Sequence, residues 1–81
     1  MREHNCKSFN IIGKQVRKIR NQQNVTQAKL AQKCQLAGWD ISREGIAKIE
    51  SGLRNVFDRE IVLLAKVLKV HFSVLFPGQS K

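Results

Sequence analysis

A chain of 81 residues can build one compact domain but has no room for a second core or a deep catalytic cleft. Its composition, 42% hydrophobic and 26% charged, is that of an ordinary globule rather than a disordered tail or a fibre. Fifteen Lys and Arg against six Asp and Glu give a net charge of +9, an excess that points to an acidic partner. No apolar run approaches the length of a membrane span, and residues 1–10 lack the apolar stretch of a signal peptide, so a cytoplasmic protein without a membrane partner is expected. Cys6 and Cys34 are then expected to be free thiols. Together with His4 and His71 they offer no better metal spacing than one His-x-Cys, so neither a metal nor another cofactor is expected.

Residues 1–9 read as a flexible N-terminal extension, 10–76 as the domain, and 77–81, from the single proline Pro77 onward, as a tail. Ile12, Val16 and Ile19 share one face of a first helix starting near Asn10, with Lys14, Gln15, Arg17 and Lys18 on its other faces. This helix is expected to stop near Asn24, because asparagine tolerates the left-handed conformation that ends helices. Thr26 caps a second helix that extends through Gln35 or Leu36 and carries Ala28, Leu30, Ala31 and Leu36 as a closely packing face. Gly38, Trp39, Asp40 and Ile41 then form a loop anchored by its apolar side chains. Ser42 caps a third helix running through Ile46 and Ile49 to Ser51, with Gly52 as its stop. Asp58 and Glu60 place negative charge at the start of a fourth, whose core face is Ile61, Leu64, Ala65 and Leu68; Lys66 and Lys69 suit its far end. Val70, Phe72, Val74, Leu75 and Phe76 close the domain as a single turn that lays aromatic rings over the bottom of the core. The sum is an all-α, compact bundle of about five short helices.

No Ser/His/Asp arrangement, carboxylate pair or phosphate-cradling glycine loop is present, and His4 and His71 read as surface residues, so an enzyme is not expected. The third helix is more informative. Arg43, Glu44, Ala47 and Lys48 face outward between the buried Ile46 and Ile49, and Gly45 would let the backbone come close to a ligand. Arginine can grip guanine O6 and N7, glutamate can accept from cytosine N4, and alanine can touch a thymine methyl. The same pattern also suits a solvated amphipathic helix, and Arg43 and Lys48 would serve equally as phosphate contacts.

The motifs settle the balance. Thr26-Gln27, Leu30-Ala31, Ile46, Ile49-Glu50, Gly52, Arg54 and the run from Ala65 to Leu68 occur in an order that resembles the phage repressor and Cro-like (Xre) helix-turn-helix family, over residues 10–76. The resemblance implies a lambda-repressor-like domain and a sequence-specific, double-stranded DNA-binding transcription regulator of the repressor kind, its third helix read into the major groove. It implies base reading by Arg43, Glu44, Ala47 and Lys48, and backbone contacts by Gln27, Ser42, Arg54 and Asn55. Arg20 and Glu50 would form a structural ion pair between the first helix and the end of the third. The basic face of Lys14, Arg17 and Lys18, with no acid between His4 and Trp39, favours long-range attraction to DNA.

The chain departs from the family pattern in three places. About five extra residues separate Leu30-Ala31 from Ile49-Glu50, widening the turn; Trp39 is expected to pack against the domain there, beside Leu36 and Ile41, rather than to stack on a base or meet a partner. Val56 stands where a proline is usual, and Phe57 is a poor cap, so the start of the fourth helix is expected to fray. A second apolar stripe of Leu63, Val67 and Val70, with Phe72 and Phe76, either forms a homodimer face or is covered within the monomer by the two phenylalanines. An antitoxin or adaptor that uses the fold to hold a protein is the alternative function; an RNA or membrane-surface binder driven by charge alone would show steep salt dependence without duplex preference.

Overall fold

The computed structural model of the protein describes residues 10–76. Residues 1–9, with Cys6, and residues 77–81, for which an extension, a free thiol and a tail are expected, lie outside them. Four α-helices follow one another, α1 (Gly13–Gln22), α2 (Gln27–Leu36), α3 (Arg43–Glu50) and α4 (Asp58–Leu68), and a 3-10 helix (Phe72–Leu75) closes the chain. The all-α bundle thus has four α-helices, with the fifth expected element present as a single 3-10 turn, and the described residues contain no strand. α3 packs against α1 and α2, while α4 packs against α1, α2 and the 3-10 helix.

Capping side chains set most of the boundaries. The Thr26 hydroxyl accepts from Lys29 N at 3.0 Å at the start of α2, and the Ser42 hydroxyl from Gly45 N at 3.2 Å at the start of α3. Asn24, with φ 58°, and Gly52, with φ 80°, turn the chain through the left-handed region after α1 and α3. α1 starts three residues later than the apolar spacing implied, because Asn10 is used as its cap. Asn10 Oδ1 accepts from Ile12 N at 3.1 Å and Gly13 N at 2.8 Å, while its Nδ2 donates to the carbonyls of Ile49 at 3.1 Å and Arg54 at 2.8 Å. One side chain therefore starts α1 and ties it to the end of α3. Gly13 completes the junction, since the place a Cβ would take is already filled by the Ile49 carbonyl oxygen.

The core is formed by Ile12, Val16 and Ile19 of the first helical segment, Leu30, Ala31 and Cys34 of α2, Ile41, Ile46 and Ile49 around α3, Leu64, Ala65 and Leu68 of α4, and Leu75. Two expectations are corrected here. The buried face of α2 is Leu30, Ala31 and Cys34, whereas Ala28 is exposed and Leu36 is 83% exposed, because the helical spacing turns Leu36 to the side of α2 opposite that face. In the closing turn the aliphatic Leu75 is fully buried and Phe76 is half-buried against the core, but Phe72 is exposed, so a leucine and one ring rather than both rings cover the core there. Cys34 is a free thiol among the apolar side chains, and burial pushes its pKa up to about 11, which keeps it protonated at neutral pH.

Gly13→Ala tests the α1–α3 junction. Alanine would by itself favour the helix by up to about 1 kcal/mol, but overpacking against a backbone carbonyl costs about 1–3 kcal/mol. The expected result is a melting temperature several degrees lower, at roughly 4–8 °C per kcal/mol for a domain of this size; an unchanged or raised value would show that the junction yields freely.

Candidate nucleic-acid interface

α2, the turn after it and α3 form the two-helix unit that presents the candidate residues. On α3, Ile46 and Ile49 have no exposed surface, while Arg43, Glu44 and Lys48 are exposed and Ala47 is half-buried. The spacing that puts isoleucines inward thus turns three polar side chains and one methyl outward. Arg43 Nη2 lies 3.6 Å from Glu44 Oε2. Hydrogen bonding to its own backbone N–H, followed by the nearby Arg43 charge and the Ser42 hydroxyl, holds the Glu44 carboxyl below its ordinary value, so it is an ionised acceptor at neutral pH.

Gly45 takes a different role from the one its position suggested. It is half-buried, and a Cβ built on it would meet Ile41 Cγ1 at 2.6 Å and Arg54 Nη1 at 3.1 Å. The close approach it permits is to the protein's own turn, and the glycine is required for packing inside the fold.

Arg20 and Glu50 meet in a fork, with Nε to Oε2 at 2.6 Å and Nη2 to Oε1 at 3.0 Å, and Arg20 Nη1 donates to the Val25 carbonyl at 2.7 Å. The Glu50 side chain is fully buried. Arg17 Nε at 3.4 Å and Gln27 Nε2 at 3.1 Å also donate to Glu50 Oε1. Burial works to raise the Glu50 pKa, but the donors from Arg20, Gln27 and Arg17 outweigh it and hold the carboxyl below its ordinary value. The half-buried Gln27 side chain is thus turned into the protein toward Glu50. Reading the sequence missed Arg17, Gln27 and Asn10 as parts of this junction; asparagine just ahead of a helical apolar pattern was a local signal for the last.

Ser42 is occupied as the α3 cap and exposed, Asn55 is exposed, and Arg54 keeps about a third of its side-chain surface open, at 34%. The Arg54 guanidinium lies over the Trp39 ring, 5.7 Å from its centroid, and its Nη2 is 3.7 Å from Glu60 Oε2. Glu60 also accepts from Phe57 N at 3.0 Å, so α4 starts at Asp58 with a bond reaching back to its cap position although Phe57 contributes no side-chain cap. Trp39 is half-buried against the core, as is Val56. Of the second apolar stripe, Leu63, Val67, Val70 and Phe76 are half-buried, with Val67, Val70 and Phe76 packed on the core, and Phe72 is 47% exposed.

Among the described residues no helix is long and apolar enough to cross a membrane, and no group of three or more His, Cys, Asp and Glu is arranged to hold a metal ion. An all-α fold with a capped outward-facing helix set on a second one defines the helix-turn-helix class. The helix-turn-helix family model matches residues 16–75, and the chain belongs to that family, in its Xre-like form. It is a DNA-binding transcription regulator. No match is found among the curated proteins. Among solved structures, the restriction-modification controller protein C.AhdI from Aeromonas hydrophila is similar over 80% of this chain and 87% of its own, at 28% identity and a TM-score of 0.71.

Two measurements test the Glu50 junction. Arg20→Ala leaves a buried carboxylate with weaker donors and is expected to lower stability by about 3 kcal/mol in chemical denaturation; a loss below about 1 kcal/mol would mean that the pair is replaceable by water. Because the folded pKa of Glu50 lies below the ordinary 4.5, its contribution is complete above that value and is lost as pH falls below it toward the folded value. Glu50→Gln should therefore be less stable than the wild type at neutral pH and less sensitive to acid below about 4.5, and parallel pH profiles would exclude the assignment.

Proposed function

We propose that the protein regulates transcription by binding a specific duplex operator in the cytoplasm, with α3 laid in the major groove and no cofactor or catalytic step. The observation that carries this reading is the sidedness of α3, whose isoleucines are fully buried while Arg43, Glu44 and Lys48 are exposed. In this reading Arg43 donates twice to a guanine, Glu44 accepts from a cytosine amine, the Ala47 methyl meets a thymine, and Lys48 reaches a base edge or the neighbouring phosphate. Gln27 at the start of α2, Ser42, Arg54 and Asn55 grip the sugar-phosphate backbone and fix the register. Gln27 does so through its backbone amide, since its side chain is engaged by Glu50. The net charge of +9 supplies attraction that does not depend on sequence.

Two copies pair, in the same reading, through Leu63, Val67, Val70, Phe72 and Phe76. Phe72 is 47% exposed, and Val62 and Val74 on the same two elements are 55% and 42% exposed, which supports an apolar contact there. A two-fold dimer would address half-sites about 34–36 Å apart. The likeness to a restriction-modification controller gives one concrete form that such regulation takes in a related fold.

Selection of bound duplexes from a randomised pool at near-physiological salt, followed by sequencing, tests the reading. A palindromic consensus is expected; a single half-site would remove the dimer, and no enrichment would move the function to a protein-holding module. Arg43→Ala is expected to relax preference at one base pair, at about 1–3 kcal/mol, while Arg54→Ala weakens all duplexes and lowers the salt slope by about one. Uniform loss in both variants would mean that α3 does not read bases.

A further inference from the structure

We propose that Trp39 is a positioning residue for DNA binding, whose indole face seats the Arg54 guanidinium at the edge of α3. The proposal deepens the reading above and rests on Arg54 donating to the DNA backbone.

The widened turn that carries Trp39 is tightly held. Trp39 N donates to the Cys34 carbonyl at 2.9 Å, Ile41 N to the Trp39 carbonyl at 2.8 Å, and Gln35 Nε2 to the Ile41 carbonyl at 2.8 Å. Ile41 is buried in the core and Trp39 packs against it, so the ring has a fixed place. Arg54 meets it from the loop after α3, with Cζ 5.7 Å from the ring centroid, inside the range where a cation is attracted to an aromatic face. Glu60 Oε2 lies 3.7 Å from Nη2 on the α4 side, and Nη1 would be 3.1 Å from a Cβ on Gly45 in the first turn of α3. The Arg54 backbone is itself held, since its carbonyl accepts from Asn10 Nδ2 at 2.8 Å. The guanidinium thus sits among the turn, α3 and α4 and keeps 34% of its side chain open to a ligand.

The two partners act differently on it. A carboxylate restrains the guanidinium but offsets its charge toward a phosphate, whereas an indole face restrains it and leaves that charge in place. A long arginine side chain loses rotamer freedom when it binds, and a seat formed beforehand removes part of that cost. The widened turn therefore adds an aromatic wall to the restraint that Glu60 already places on Arg54.

The experiment compares Trp39→Leu, which keeps apolar volume in the turn, with Trp39→Phe, which keeps an aromatic face, each alone and with Arg54→Ala. Affinity is measured for a preferred and a scrambled duplex across a salt series. Trp39→Leu is expected to weaken both duplexes equally, by about two- to five-fold, to lower the salt slope, and to add nothing once Arg54 is alanine; Trp39→Phe should recover most of the loss. Trp39→Leu losses of equal size with and without Arg54, or an unchanged affinity while Arg54→Ala weakens binding, would overturn the role of Trp39 and leave Arg54 as a contact. Arg54→Ala with unchanged affinity and slope would overturn both readings. Trp39 is the single tryptophan, so its fluorescence follows the seat without touching the turn. DNA should change the emission of the wild type and not that of Arg54→Ala, and an identical response in the two would also overturn the proposal.

Discussion

The end of α3 carries a carboxylate with no exposed surface, and the placement of three helices follows from how its charge is satisfied. Glu50 can stay ionised inside the fold only while enough donors reach it. Those donors come from α1, as Arg20 and Arg17, and from the first residue of α2, as Gln27. None of the three helices can rotate or slide far without stripping a bond from a buried charge. An apolar contact of similar size would stabilise the fold as well, but it would tolerate sliding in a way that a forked ion pair does not. Arg20 also closes on the Val25 carbonyl, so the chain leaving α1 toward α2 is set by the same side chain.

A second constraint acts at the other end of α1. Asn10 and Gly13 bring the start of that helix against the carbonyls of Ile49 and, through Asn10, of Arg54. α1 therefore touches the last turn of α3 from both of its own ends, once by backbone approach and once by charge. The outward face of α3 inherits its orientation from these two contacts and from the core isoleucines beneath it, rather than from anything on the face itself.

What the sequence made legible follows the range of the forces involved. Thr26, Ser42, Asn24 and Gly52 act within a few residues of themselves, and each boundary they mark is where local chemistry puts it. Isoleucine spacing likewise separated the inner from the outer face of α3. Leu36 and Phe72 were misread, and the partners that Gly45 and Gln27 have within the fold went unseen, each for a reason of its own. Leu36 was placed with the core for its apolar side chain, although helical spacing sets it across α2 from Leu30, Ala31 and Cys34. A glycine in a helix signals that something comes close, without saying from which side; here it is Ile41. Gln27 and Asn10 find partners 23 and 39 residues away, a separation at which no local pattern operates. The wide turn was visible as extra length, while the seating of Trp39 against Arg54 needed the folded chain.

Cys34 offers a different kind of consequence. Its sulfur has no exposed surface and its thiol stays protonated well above neutral pH, so in the closed fold it is shielded from alkylating agents and oxidants both by access and by chemistry. The reactive thiolate becomes available when α2 separates from the core. The pace at which reagent finds Cys34 then measures how often the domain opens, which makes this side chain a clock for conformational excursions that equilibrium melting averages away.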